Sequence, residues 1–142
     1  MLARRFWDWQ LDWQDVTKAP VWSVEHGFGS TGDPKQSSHA IMDGYCVVDG
    51  PFGGLEIPYL DEEYHPHCLS RGFVEGEELT NQSIKLSPDY VEGLLDMDKY
   101  ESLNLGVEHG PHAAIPFSIR GDFALFTAPS GKLRQLAWRH VG

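Results

Sequence analysis

The chain has few basic residues, few cysteines and no long apolar run. Eleven Lys and Arg stand against 21 Asp and Glu among 142 residues, and the net charge is −10 with histidine neutral. This charge repels phosphate backbones, so we expect no nucleic-acid partner. No apolar run approaches the roughly 18 residues that a membrane helix needs, so we expect a soluble chain with no membrane partner.

The start of the chain and its two cysteines bear on the cellular compartment. Asp8 and Asp12 interrupt the aromatic residues at positions 1–13, where a signal peptide would need a continuous apolar segment. We therefore expect no targeting segment. Cys46 and Cys68 allow either one disulfide or two free thiols, so the compartment stays open.

Glycine and proline divide the chain into long ordered loops followed by helices. The length predicts a single domain over residues 1–142. Residues 6–13 predict one helical turn or a short irregular element, because Trp9 and Trp13 have helical spacing whereas Trp7 and Trp9 alternate as in a strand. Residues 45–48 predict a short strand, and residues 55–72 predict an extended loop because Pro58 and Pro66 interrupt them. The fold class is therefore mainly α with long ordered loops.

Three helical segments are predicted after residue 87. Ser87 is a good N-cap before Pro88, which predicts a helix over residues 88–97. Asp98 is expected to cap a second helix over residues 99–107. Pro111 opens a short helical turn that should end at Pro116, because the residue before a proline resists helical geometry.

Two histidine clusters could bind metal. His65, His67 and Cys68 offer two imidazoles and a thiolate, which zinc and copper accept, but Pro66 sends the rings apart, so a surface loop with a structural cysteine is favoured. His109 and His112 could face each other across a helical turn, with Glu108 or a backbone carbonyl orienting one ring. From spacing alone, partly exposed loop histidines are the favoured interpretation.

The tryptophans near the start also allow two interpretations. Trp7, Trp9 and Trp13 could stack on a phenol or on a tyrosine-containing peptide, but aromatic clusters are more often core residues.

Five short elements, taken in order, carry a resemblance that none carries alone. They are Phe-Trp-Asp-Trp-Gln at 6–10, Cys-Val-Val-Asp-Gly-Pro-Phe at 46–52, Cys-Leu-Ser-Arg-Gly-Phe at 68–73, Glu-His-Gly-Pro-His at 108–112, and Arg-Gly-Asp-Phe at 120–123. In this order they resemble the tyrosinase family of dinuclear copper oxidases, in its fungal branch. The resemblance covers residues 5–130, most of the chain.

The resemblance implies a four-helix core that holds two copper ions, each on three histidines. His112 matches the family's Gly-Pro-His ligand, and His109 is a second candidate. No histidine precedes Trp7, Pro116 stands where a further ligand is expected, and His140 lies in a basic segment that replaces the expected His-His stretch. We therefore expect a partial, incomplete core, truncated at both ends, for which a partner chain could supply the missing histidines.

The implied function is that of a tyrosinase-like copper oxidoreductase. Such an enzyme hydroxylates phenols or oxidises catechols, with small phenolic or tyrosine-containing substrates and fungal secondary metabolism as its setting. The alternative is a catalytically inactive fragment or degenerate homologue that serves as a phenol- or peptide-binding module. Because most copper ligands of the family have no counterpart in this chain, the sequence leaves open whether it is an enzyme.

Overall fold

The computed structural model describes residues 7–36, 42–60 and 63–125. Phe6, the first residue of the first resemblance element, and His140 with its basic segment lie outside these ranges. Short 3-10 helices and two small sheets occupy the first part of the described chain, and α-helices dominate from residue 76 onward. The mainly helical character is therefore confirmed for the second half only.

The strands form two separate antiparallel pairs. Strand β1 is Tyr45–Cys46 and pairs with β4, Ser70–Arg71, while β2, Glu56–Leu60, pairs with β3, Glu63–Cys68. Cys46 and Cys68 form a disulfide, with their Cα atoms 5.4 Å apart. The open choice between thiols and a bridge is thereby settled in favour of the bridge.

Four α-helices follow the strands. They are α1 (Gly76–Ile84), α2 (Pro88–Leu95), α3 (Tyr100–Val107) and α4 (Ala113–Ile119). No helix in the described ranges is long and apolar enough to span a membrane. The prediction for α2 is confirmed together with its cap, because the Ser87 hydroxyl accepts a hydrogen bond from the Tyr90 amide at 3.2 Å.

Helix α4 lies at the centre of the core. Its Ala114 packs with Val16 and Leu86, and its Ile119 packs with Ala19 and Trp22. The 3-10 helices of the N-terminal segment, Val16–Lys18 and Pro20–Trp22, thus cover α4, and the Trp22 indole donates to the Val16 carbonyl at 2.8 Å. These contacts fix the segment that carries the candidate ligands.

The extended loop predicted over residues 55–72 is wrong, because this segment forms the hairpin of β2 and β3. Among the described strands, β2 and β3 pair only with each other, so each is an edge strand, and proline is tolerated in edge strands. Pro58 lies in β2 where the pairing register shifts between Ile57 and Tyr59. The prolines therefore distort the hairpin without preventing it.

The predicted end of the third helix at Pro116 is also wrong, because α4 continues to Ile119. Pro116 lies inside α4 and removes one amide donor from it. The helix continues past it because Ala114 and Ile119, on either side of the proline, are packed in the core. The predicted cap of the second helix is wrong as well, since Lys99 occupies the cap position of α3 and no side chain caps it.

Candidate functional site

A kinked turn connects α3 to α4 and carries both candidate ligands. The turn, Glu108–His112, is wider than an α-helical turn, and Gly110 has the non-helical angles φ −97° and ψ −112°. Gly110 is buried against α2, where a Cβ atom would lie 2.6 Å from Cε1 and 2.8 Å from the hydroxyl of Tyr90. The Tyr90 ring therefore requires glycine at the kink.

Glu108 orients the ring of His112. Nδ1 of His112 lies 2.7 Å from Oε2 of Glu108, and both side chains are about one-fifth exposed, at 23% and 21%. A carboxylate on one ring nitrogen fixes the ring and is the usual outer partner of a metal-binding histidine. The expectation that Glu108 orients a ring of this cluster is thus confirmed in geometry.

His109 does not join His112. Its side chain is exposed, and no hydrogen bond or ring contact between the two histidines occurs in the described part of the chain. The kink at Gly110 lies between them and breaks the helical geometry that would place their rings on one face. His109 as a copper ligand stays a prediction.

The other histidine cluster is structural. Cys68 is bound to Cys46, so it has no thiolate to offer a metal, and the expected structural cysteine is confirmed. The prediction that this cluster lies in a surface loop is wrong, because His67 lies in β3 and its side chain is only 2% exposed.

His67 belongs to a buried polar network that sequence spacing did not indicate. Its Nε2 lies 2.8 Å from Oδ1 of Asp122, and its Nδ1 lies 2.7 Å from the His65 carbonyl oxygen. Oδ2 of Asp122 accepts from the amide and the hydroxyl of Ser70 at 2.7 and 2.9 Å. Ser70 and Asp122 lie in two of the resemblance elements, 68–73 and 120–123. Their position in these elements is the feature of the sequence that could have pointed to the network.

This geometry favours the imidazolium form of His67. A carbonyl and an ionised carboxylate can only accept, so both ring nitrogens must donate. Burial opposes the charged form, but the hydrogen bonds to His65 and Asp122 and the charge of Asp122 outweigh it and raise the pKa of His67 above 6.5. A ring with both nitrogens donating cannot ligate a metal.

A tight turn after α4 brings Asp122 to this network. Arg120 and Gly121 both have positive φ, 56° and 59°, and a Cβ on Gly121 would overlap the Ser70 carbonyl. Arg120 pairs with Glu78 at 2.5 Å and with Asp43 at 3.4 Å. The turn therefore joins β4 to the end of the helix that follows His112.

The tryptophans near the start of the chain pack against the core, as favoured from the sequence. Trp7, Trp9 and Trp13 pack against the buried cluster around Leu86 and Ala114. The Trp7 indole also donates to Oδ2 of Asp12 at 2.9 Å. Their packing leaves little support for stacking on a phenol or a peptide.

The residues present fit one position of a copper site but not a whole centre. No group of three or more His, Cys, Asp and Glu side chains able to hold a metal occurs in residues 7–36, 42–60 and 63–125. Imidazole is a preferred copper ligand, and His112 is held by a carboxylate as such ligands are. The described chain thus offers His112 as a single ligand.

Comparison with known proteins supports the resemblance. Tyrosinase-like protein phomQ1 of Diaporthe leptostromiformis is 39% identical over 137 residues, which cover 88% of this chain and 35% of that protein. Tyrosinase ustQ of Aspergillus flavus is 33% identical over 129 residues, covering 90% of this chain and 36% of that protein. The chain thus spans about one third of the length of these relatives. No protein-family model and no solved structure matches it.

Proposed function

We propose that this chain, which belongs to the fungal tyrosinase-like proteins, supplies His112 as a ligand in a copper oxidoreductase that acts on phenols or catechols. The observation that carries the proposal is the hydrogen bond between Glu108 and His112 within the Gly-Pro-His element. Small phenolic or tyrosine-containing metabolites are the proposed substrates, in fungal secondary metabolism. When bound, a pair of copper ions would activate dioxygen for the oxidation.

The role of this chain's own residues is to present one imidazole in a fixed orientation. Glu108 holds Nδ1, so Nε2 is the nitrogen that would face a metal. The Gly110 kink beneath Tyr90 and the packing of α4 in the core fix the backbone on both sides of His112. Since the described residues do not form a complete centre, we assign no step of the oxidation to them.

The remaining ligands are proposed to come from a partner chain or from segments that correspond to the rest of the relatives. Tyr100 and Val107 are seven residues apart, so they lie on one face of α3, and they are 75% and 40% exposed. Exposed apolar side chains on one face favour a surface that other helices cover. We propose that such helices complete a four-helix core around His112.

Copper content tests the ligand. The purified chain is titrated with copper and binding is measured at equilibrium, without a desalting step, because one imidazole ligand does not retain copper on a column. We expect His112→Ala to lose bound copper, and Glu108→Gln to weaken binding about 10- to 100-fold by freeing the ring. His26→Ala is the matched control, because His26 is an exposed loop histidine outside the site.

The outcomes distinguish a copper ligand from a histidine that does not bind copper. Equal copper in His112→Ala and the unmodified chain would remove His112 from the site. Loss of copper in both His112→Ala and His26→Ala would indicate nonspecific imidazole binding and would contradict the proposal. Tryptophan fluorescence of each variant verifies that the core around Trp22 is intact.

A further inference from the structure

Helix α1 carries an acceptor pattern for N-linked sugars. Residues 81–83 read Asn-Gln-Ser, which is Asn-X-Ser/Thr with a middle residue other than proline. Asn81 is exposed, whereas Ser83 is buried and its hydroxyl donates to the Gln14 carbonyl at 3.1 Å. The asparagine therefore lies on the solvent side of the helix and the serine on the core side.

The disulfide provides a second and independent observation. Bridges such as Cys46–Cys68 form and persist in oxidising compartments, among them the lumen of the endoplasmic reticulum. N-linked sugars are attached in the same lumen, and the acceptor pattern has meaning only for a chain that passes through it. An exposed acceptor and a formed bridge in one chain indicate a common route.

The surroundings of Asn81 accommodate a bulky group. Helix α1 packs on the core through Leu79 and Ser83, and Asn81 lies on the face away from both. Ile84, one turn further along that face, is 55% exposed. A sugar at Asn81 would shield this apolar side chain without displacing any contact of the core.

We propose that Asn81 is N-glycosylated. Nδ2 of Asn81 attacks the anomeric carbon of an oligosaccharide carried on a lipid pyrophosphate. The new N–C bond forms as the C–O bond to the pyrophosphate breaks, the lipid pyrophosphate leaves, and the amide loses one proton. The transfer precedes folding, because Ser83 is enclosed against Gln14 in the folded chain.

This proposal does not depend on copper, and it opposes the expectation from residues 1–13 that the chain has no targeting segment. The test expresses the native gene in a filamentous fungus. Protein purified without reductant is analysed by intact mass before and after an endoglycosidase, and the peptide containing Asn81 is sequenced by mass spectrometry.

Three variants sharpen the test. We expect Asn81→Gln to lose the sugar mass and Ser83→Thr to keep it, because threonine also completes the acceptor pattern. Asn104→Gln is the matched control, since Asn104 is an exposed helical asparagine followed by Leu-Gly. An unmodified chain with no mass change on endoglycosidase treatment, or a sugar that persists in Asn81→Gln, overturns the proposal.

Discussion

Replacing Asp122 with alanine should destabilise the fold more than any change at the chain's surface. Asp122 is only 13% exposed and accepts from Nε2 of His67 and from the amide and hydroxyl of Ser70. The hydroxyl can rotate to another acceptor, so two buried donors are left unsatisfied. At about 1–3 kcal/mol for each, the expected loss is about 2–6 kcal/mol, a large part of a total of about 5–15 kcal/mol.

Asp122→Asn separates the charge of Asp122 from its hydrogen bonds. The asparagine oxygen can accept from the Ser70 amide, while its NH₂ donates to Nε2 of a neutral His67. Nδ1 of His67 then still donates to the His65 carbonyl, so the network persists without either charge. We expect Asp122→Asn to cost less than Asp122→Ala.

The two charged partners also predict a pH dependence with a definite sign. The pKa of His67 is raised above 6.5 in the folded chain, so its contribution to stability is complete below pH 6.5. That contribution is lost as the pH rises through the folded pKa. In Asp122→Asn the neutral ring is the bound form, so this loss should disappear.

Urea unfolding followed by tryptophan fluorescence, with the disulfide intact, measures both effects between pH 6 and 9. His26→Gln serves as the control, because His26 is exposed and should leave the slope unchanged. The reasoning is refuted if Asp122→Ala costs less than about 1 kcal/mol, the minimum for one unsatisfied buried donor. It is also refuted if the unmodified chain and Asp122→Asn share one pH slope.

Two further changes test the kink and the bridge. Gly110→Ala should lower the free energy of unfolding by about 1–3 kcal/mol, because the added Cβ meets the Tyr90 ring. Gly93→Ala is the control, because the space around Gly93 is open, and it should stabilise α2 by about 0.5–1 kcal/mol. Equal unfolding midpoints for the two variants would contradict this reasoning. Replacing Cys46 and Cys68 with alanine opens a loop of 22 residues and should cost about 3 kcal/mol in the loop-entropy model. A reductant should lower the unfolding midpoint of the unmodified chain and leave that of the double variant unchanged. An unmodified chain whose midpoint does not change under reductant would contradict a stabilising disulfide.

The sequence predicts an element correctly where a few neighbouring residues determine its conformation. The Ser87 and Pro88 pair marked the start of α2, and the structure shows the hydroxyl of Ser87 on the Tyr90 amide. Helix α1 was missed because Gly76–Ile84 contains only Leu79 and Ile84 as large apolar residues and begins without a side-chain cap. Its stability comes from packing on α4, which no local pattern reports.

The same distinction applies to the candidate site. Glu108 and His112 are four residues apart, so their contact is local in sequence, although the kink at Gly110 means that regular helical spacing does not describe it. Asp122 lies 55 residues from His67 and 52 from Ser70, and the positive φ values of Arg120 and Gly121 bring them together. These residues come together only in the folded chain, so no local sequence pattern predicts the network.

Two of the histidine–carboxylate pairs in the described residues have nearly equal distances, 2.8 Å at His67 and 2.7 Å at His112. Their environments differ. His67 is 2% exposed and both its nitrogens donate to acceptors, so binding a metal through either nitrogen would break a hydrogen bond inside the core. His112 is 23% exposed at a kink, where its carboxylate partner engages Nδ1. Burial and the hydrogen bonds of both ring nitrogens therefore make the first pair structural, whereas the second pair lies at the partly exposed kink of the Gly-Pro-His element.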